Sequence, residues 1–153
     1  MIETAKSILS FLLSDTVDSV LDSHHSSTCL FSFLNWSSGN ARIINHINPI
    51  AFTPPLVLFE EIHGRADRGA PGNFERKAYS EIWQFQALSL DPDQASEIGQ
   101  RIRDLFIHRR NSIPNNGFLF KDISLHESKV SYDPSSKSYK NLLRYHIRVI
   151  RSS

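Results

Sequence analysis

The sequence predicts an α+β fold, a mostly antiparallel β-sheet with helices packed on it and one long mobile loop between two central strands. Three observations carry this expectation. Apolar residues recur at helical spacing near the N-terminus, strand-like runs with period two dominate the middle and the end, and a well-capped amphipathic helix separates them. The order is helix, strand, long arm, strand, helix, strand, strand. A chain of 153 residues, with 40% hydrophobic and 22% charged residues, is long enough for one domain with a sizeable core.

Each element has a local reason. Ala5, Leu9, Leu12, Leu13, Val17, Val20 and Leu21 form a helical stripe, which Ser14 and Asp15 can interrupt as a cap. His24-His25-Ser26-Ser27 is a polar break, and Leu30, Phe31, Phe33 and Leu34 read as one or two helical turns closed by Trp36, Ser37, Ser38 and Gly39. Arg42 to Ile47 reads as a short extended piece ended by Asn48-Pro49. Pro54-Pro55 imposes an extended backbone ahead of Leu56-Val57-Leu58-Phe59, a continuous apolar run suited to a buried strand.

That strand is expected to leave through Glu60, Glu61 and His63 into a mobile arm over residues 64–76, rich in glycine and in charges of both signs. A second strand is expected from Lys77 to Leu90, with Tyr79, Trp83, Phe85 and Ala87 on one face and Ile82, Leu88 and Leu90 on the other. Asp91-Pro92-Asp93-Gln94 is the clearest local signal: an N-cap, a proline at the first helical position and the glutamine of a capping box. Ala95, Ile98, Ile102, Leu105 and Phe106 mark the buried face of the helix, and Arg101, Arg103 and Asp104 are expected to point away from it. Asn115-Asn116-Gly117 is a turn. Two strands follow, over 118–132 and 139–150, joined by Asp133-Pro134-Ser135-Ser136. In the last one Leu143, Tyr145, Ile147 and Val149 alternate with Arg144, His146 and Arg148, so a one-residue slip would expose the apolar set.

Charge and cysteine content bound the function. A net charge of +1 argues against a dedicated nucleic-acid binder. Its distribution is uneven: residues 1–63 hold two basic against six acidic residues, 64–97 four against six, and 98–153 eleven against four. The chain has an acidic front and a basic back, compatible with a subunit that packs on copies of itself. Cys29, the single cysteine, excludes an internal disulfide and fits a reducing compartment. No run of apolar residues reaches the length of a membrane-spanning helix.

A search for chemistry finds little. His24, His25 and Cys29, with His46 as a further donor, are the nearest thing to a metal cluster, but adjacent histidines point in different directions and no zinc spacing is present. Asp91 and Asp93 resemble the start of a calcium loop, yet Ser96 stands where that loop needs glycine. No nucleophile elbow or phosphate loop occurs. The expectation is no enzyme, no cofactor and no metal.

The string RIINHINPIAFTPPLVLFEEI over residues 42–62, then a charged loop, then AYSEIWQFQALSLD running directly into PDQASEIGQRIRDLF, and a final LLRYHIRVI, together resemble the tail-terminator or tail-completion proteins of tailed bacteriophages. The likeness spans most of residues 27–151 and is a pattern of elements, not a catalytic signature. It implies a structural virion protein: an α+β subunit forming a ring, typically a hexamer, that caps the head-proximal end of the tail tube and docks it to the neck. Implied partners are further copies of the chain, the tail tube protein and a neck, connector or head-completion protein, with passing contact to DNA in the lumen and no membrane. The place implied is the tail or neck of the virion, and the host cytoplasm during assembly. The segment 22–28 departs from the shortest members of the family.

Expected interface residues are Arg65, Asp67, Arg68, Asn73 and Arg76 in the arm, reaching a neighbouring subunit or the tube. Arg144, His146 and Arg148 on the last strand would line a subunit contact or the lumen. The alternatives are a head-completion or connector protein of the same neck, a small metal-dependent hydrolase using His24, His25 and Cys29, and a DNA-contacting accessory protein using the basic C-terminal third.

Overall fold

In the structure, a computed structural model, residues 2–16, 29–34, 42–45, 53–66, 78–115, 117–135 and 137–151 are described. Helix α1 covers Ile2–Leu13, α2 Leu30–Leu34 and α3 Pro92–His108; the strands are β1 Ile43–Asn45, β2 Leu56–Ala66, β3 Ala78–Ser89, β4 Phe118–Asp133 and β5 Ser138–Arg151. They form one five-stranded sheet in the order β1-β2-β3-β5-β4. The pairing is antiparallel throughout except that β1 runs parallel to β2. The peptide between Pro54 and Pro55, just before β2, is cis.

Period two decides which residues meet the helices. Ile43, Val57, Phe59, Trp83, Phe85, Ala87, Leu143, Tyr145, Ile147 and Val149 share one face and pack with Ile8, Phe11 and Leu12 of α1, Leu30 and Leu34 of α2, and Ile98, Ile102, Leu105 and Phe106 of α3. Aromatic rings run through this layer: Phe85 lies 5.4 Å from Phe106 and 5.8 Å from Tyr145, both edge-on. On the opposite face Leu56, Leu58 and Leu88 form a small second cluster with Ile44 against it. Of the residues the sequence placed on that second face of β3, Leu88 is buried, Ile82 half-buried and Leu90 exposed.

Helix α3 starts with the N-cap and the proline that its sequence predicts, but without the capping box. The Asp91 carboxylate accepts from the Asp93 N–H at 3.0 Å and Pro92 takes the first helical position. Gln94 does not reach back to the cap. The Ser89 hydroxyl stands between them, accepting from the Asp91 N–H at 3.1 Å and donating to Gln94 Oε1. Gly99 lets the helix sit close to β5, because a Cβ there would lie 1.9 Å from Nδ2 of Asn141. That Nδ2 donates to the carbonyl of Ala95.

Two further sequence expectations are corrected. Arg101 does not point away from the core: it is fully buried, and its Nε and Nη2 donate side-on to Asp15 Oδ2 at 2.8 Å and Oδ1 at 2.6 Å. Three residues after Ile98 and four before Leu105, it belongs to the inner face by helical phase. Asp15 ends the first helix in chain terms only; its carboxylate caps the next one, accepting from the Leu30 N–H at 2.8 Å. Burial without this partner would disfavour the guanidinium's charge, and the hydrogen bonds Arg101 donates to Asp15 hold it more basic than usual.

The second correction concerns the arm. Gly64, Arg65 and Ala66 belong to β2, opposite Glu81, Ser80 and Tyr79, because β3 is long enough to continue the ladder past a bulge at Ile62. The rest of the expected arm, with Asp67, Arg68, Asn73 and Arg76, lies outside the described residues, as do Val17, Val20, Leu21 and 35–41. Both expected turns are present: Asn115 Oδ1 accepts from Gly117 N–H at 2.9 Å, with Gly117 at φ +94°, and Asp133 Oδ1 accepts from Ser135 N–H at 3.1 Å.

Asp15→Asn keeps the α2 cap but leaves a buried guanidinium without its counter-charge, so it is expected to cost about 3–5 kcal/mol in urea unfolding, and adding Arg101→Met should restore most of the loss. Gly99→Ala, which must displace Asn141, is expected to lower stability by about 1–3 kcal/mol in the same measurement.

Candidate functional site

The surface opposite the helices carries Arg144, His146 and Arg148, three of the residues expected at an interface. Cross-strand register fixes which ones meet. Glu60, Gln84, Arg144 and Glu127 form a row across β2, β3, β5 and β4. Gln84 Nε2 donates to Glu60 at 3.4 Å, Arg144 Nη2 donates to Gln84 Oε1 at 3.0 Å, and Arg144 Nη1 pairs with Glu127 at 3.2 Å. The side chains of the ion pair are 40% and 45% exposed and it contributes at most about 1 kcal/mol, so its value is alignment more than stability.

One step along the strands, His146 is exposed and its ring lies edge-on to that of His126, centroids 5.3 Å apart. His126 arrives there through a bulge between Leu125 and Glu127, and Ser124 Oγ lies 3.3 Å from its Nε2. The next row contains Arg65, Ser80, Arg148 and Asp122. Arg144, His146 and Arg148 therefore share one face, as alternation predicts, and Arg65 joins Arg148's row at backbone level. His24, His25 and His46 lie outside the described residues. Cys29 is buried, with Sγ 3.3 Å from Ser32 Oγ at the start of α2. Among the described residues no group of three or more His, Cys, Asp or Glu side chains is placed to hold a metal.

A second surface lies on the helix side. Between α3 and edge strand β4 runs a groove of about 260 Å³. Phe106, Ile107, Ile123 and Leu125 give it apolar walls, and Arg103, Arg110 and Tyr145 supply the polar groups. Ile107 is 60% exposed. Arg103 is half-buried and its Nε, fully enclosed, has no hydrogen-bond partner. Arg110 Nη2 donates to the carbonyl of Lys121 at 3.0 Å, which ties the end of the helix to β4. Burial pushes the Tyr145 phenol well above its usual range, so it stays a neutral hydroxyl.

Sequence reading did not single out this groove, nor Glu81. Glu81 is 1% exposed on the inner face of β3, in phase with Tyr79, Trp83 and Phe85, and that phase was the available signal. Its Oε2 accepts from Trp83 Nε1 at 2.7 Å and its Oε1 from the Thr4 hydroxyl at 3.0 Å, joining α1 to the sheet. Burial raises its pKa above the ordinary 4.5, with the Trp83 and Thr4 hydrogen bonds pulling the other way. No helix among the described residues is long and apolar enough to cross a membrane. No protein-family model matches the chain, and no curated protein is significantly similar to it.

Because the folded carboxyl holds its proton to higher pH than the unfolded one, the wild-type fold loses stability as pH rises from the ordinary carboxylate range through the raised value. Glu81→Gln, which can accept from Trp83 and donate to Thr4, removes that titration. Its stability relative to wild type is expected to rise across the same interval, read from thermal unfolding at pH 4 to 8; a difference independent of pH would show that Glu81 is not perturbed.

Proposed function

We propose that the chain is a ring-forming structural subunit of a tailed bacteriophage, a terminator that closes the head-proximal end of the tail tube and presents a docking surface to the neck. The observation that carries the reading is the arrangement of the elements in which the resemblance resides. The Pro-led strand β2, the long strand β3 running straight into the capped helix α3, and the closing hairpin β4–β5 are consecutive parts of one sheet with its helices on one side. A subunit of this shape suits a head-to-tail ring, which needs two different complementary patches on each copy.

In this reading the face with Arg144, His146 and Arg148 lines either the lumen or a subunit contact, and the backbone of Arg65 pairs in the same row as Arg148. The remaining arm residues, Asp67, Arg68, Asn73 and Arg76, would reach the neighbouring copy or the tube protein. The chain's part in assembly is one of shape and charge and requires no catalytic step.

Polymerising the tail tube protein in the presence of equimolar purified chain is expected to yield short tubes with a terminal ring in negative-stain electron microscopy. Tubes as long as those formed without the chain, and without terminal density, would overturn the reading.

A further inference from the structure

We propose that the α3/β4 groove receives the β3–α3 corner of a second copy of this chain, with Leu90 seated among the apolar walls and Asp93 and Glu97 facing Arg103 and Arg110. The contact deepens the ring reading and rests on it for closure, but it follows from two complementary patches on one subunit.

The groove calls for an anion because Arg103 lacks one. Arg101 and Arg144 each hold a carboxylate, at 2.6 Å and 3.2 Å. Arg103 is half-buried, its enclosed Nε bonds to nothing, and it makes no ion pair or hydrogen bond among the described residues. The adjacent Asp104 accepts instead from Gln100 at 2.9 Å. A guanidinium partly withdrawn from water without a counter-charge is costly, and a carboxylate brought into the groove would relieve that cost. Arg110, which uses one nitrogen on the Lys121 carbonyl, lines the same groove. Phe106, Ile107, Ile123 and Leu125 make the remaining walls apolar, so the occupant needs an apolar group beside its acid.

The β3–α3 corner carries that combination. Leu90 is 68% exposed, the most of any large hydrophobic residue described. It is not isolated: Ser89 pairs with Tyr139 and Tyr139 with Tyr132, which puts the exposed Tyr132 at the same end of the sheet. Asp93 and Glu97, one turn apart on α3, are exposed, and neither carboxylate has a partner among the described residues. The dipole of α3 favours acids in its first turn. It gives no reason for an uncovered leucine in front of them, whereas apolar groups rimmed by charge are the composition of a contact surface.

Position makes the contact heterologous. At 1.5 Å per residue, Asp93 and Ile107 lie roughly 20 Å apart along one helix, so the corner cannot reach its own groove. Each copy presents a different patch to each neighbour, and repetition of one operation yields a ring or a filament.

The test uses two charge-reversed full-length proteins, Asp93→Lys/Glu97→Lys and Arg103→Glu/Arg110→Glu, followed by sedimentation velocity and negative-stain microscopy, alone and with tail tube protein. Asp91 is left in place because it caps α3. Wild type is expected to form rings, and each variant alone should associate roughly tenfold or more weakly. An equimolar mixture of the two should recover rings, because every contact then joins opposite charges. Leu90→Asp and Ile107→Asp, at exposed positions, should each weaken association without loss of fold by circular dichroism, which keeps the measurement decisive where a double variant unfolds. Rings that persist in the variants, a mixture of folded variants that does not recover, or recovery that stops at a dimer would sink this contact and leave the ring reading intact. Wild type that forms no ring, alone or on tubes, would overturn both.

Discussion

The buried pair between Asp15 and Arg101 governs how the helices sit on the sheet. Removing both charges from water carries a large desolvation cost, offset only if the carboxylate and guanidinium are held in good geometry with their remaining groups satisfied. Asp15 meets that demand with two hydrogen bonds to Arg101 and one to the Leu30 backbone, so the end of α1, the start of α2 and the middle of α3 are fixed together. The pair also sets the rotation of α3 about its axis. At about 100° per residue, Arg103 lies roughly half a turn from Arg101, so anchoring one side toward α1 and α2 turns the other toward β4. The groove is a consequence of that anchoring.

A second constraint works from the sheet. Glu81 places a carboxyl inside the apolar layer, tolerated because the Trp83 indole and Thr4 hydroxyl both donate to it. It fixes α1 against β3 much as Asp15 fixes it against α3. The helix side therefore holds its polar groups buried and specific. The far side is mixed: Leu56, Leu58 and Leu88 are buried there, while the Arg144–Glu127 pair and the paired rings of His126 and His146 lie open. The two faces are suited to different tasks, cohesion within the subunit and contact beyond it.

Much of this was legible from residue patterns. Alternation in β5 assigned Leu143, Tyr145, Ile147 and Val149 inward correctly, and the Asp91-Pro92 start of α3 was readable because capping is local chemistry. Arg101 and Glu81 are polar yet sit in step with apolar neighbours, so for both of them phase and not polarity marks the buried side. Their partners lie 86 and 77 residues away in the chain, and nothing in the sequence announces such pairs. The arm's boundary shifted because glycine and charge mark a loop only where no long neighbouring strand extends the ladder, and β3 does so as far as Ala66. The groove joins residues from α3, β4 and β5, and only the assembled sheet brings them together.

The junction between β3 and α3 has a further consequence. Ser89 closes the strand, Asp91 caps the helix, and one hydroxyl serves both ends of the connection. Such a splice leaves no slack. An added residue there would rotate the helix, part Arg101 from Asp15 and swing the groove away from β4, whereas the Asp133–Ser135 bend at the hairpin tip disturbs only its own turn. The chain thus has one seam that resists insertion and one that tolerates it, and descendants of this fold would be expected to vary in length at the hairpin and hold the splice constant.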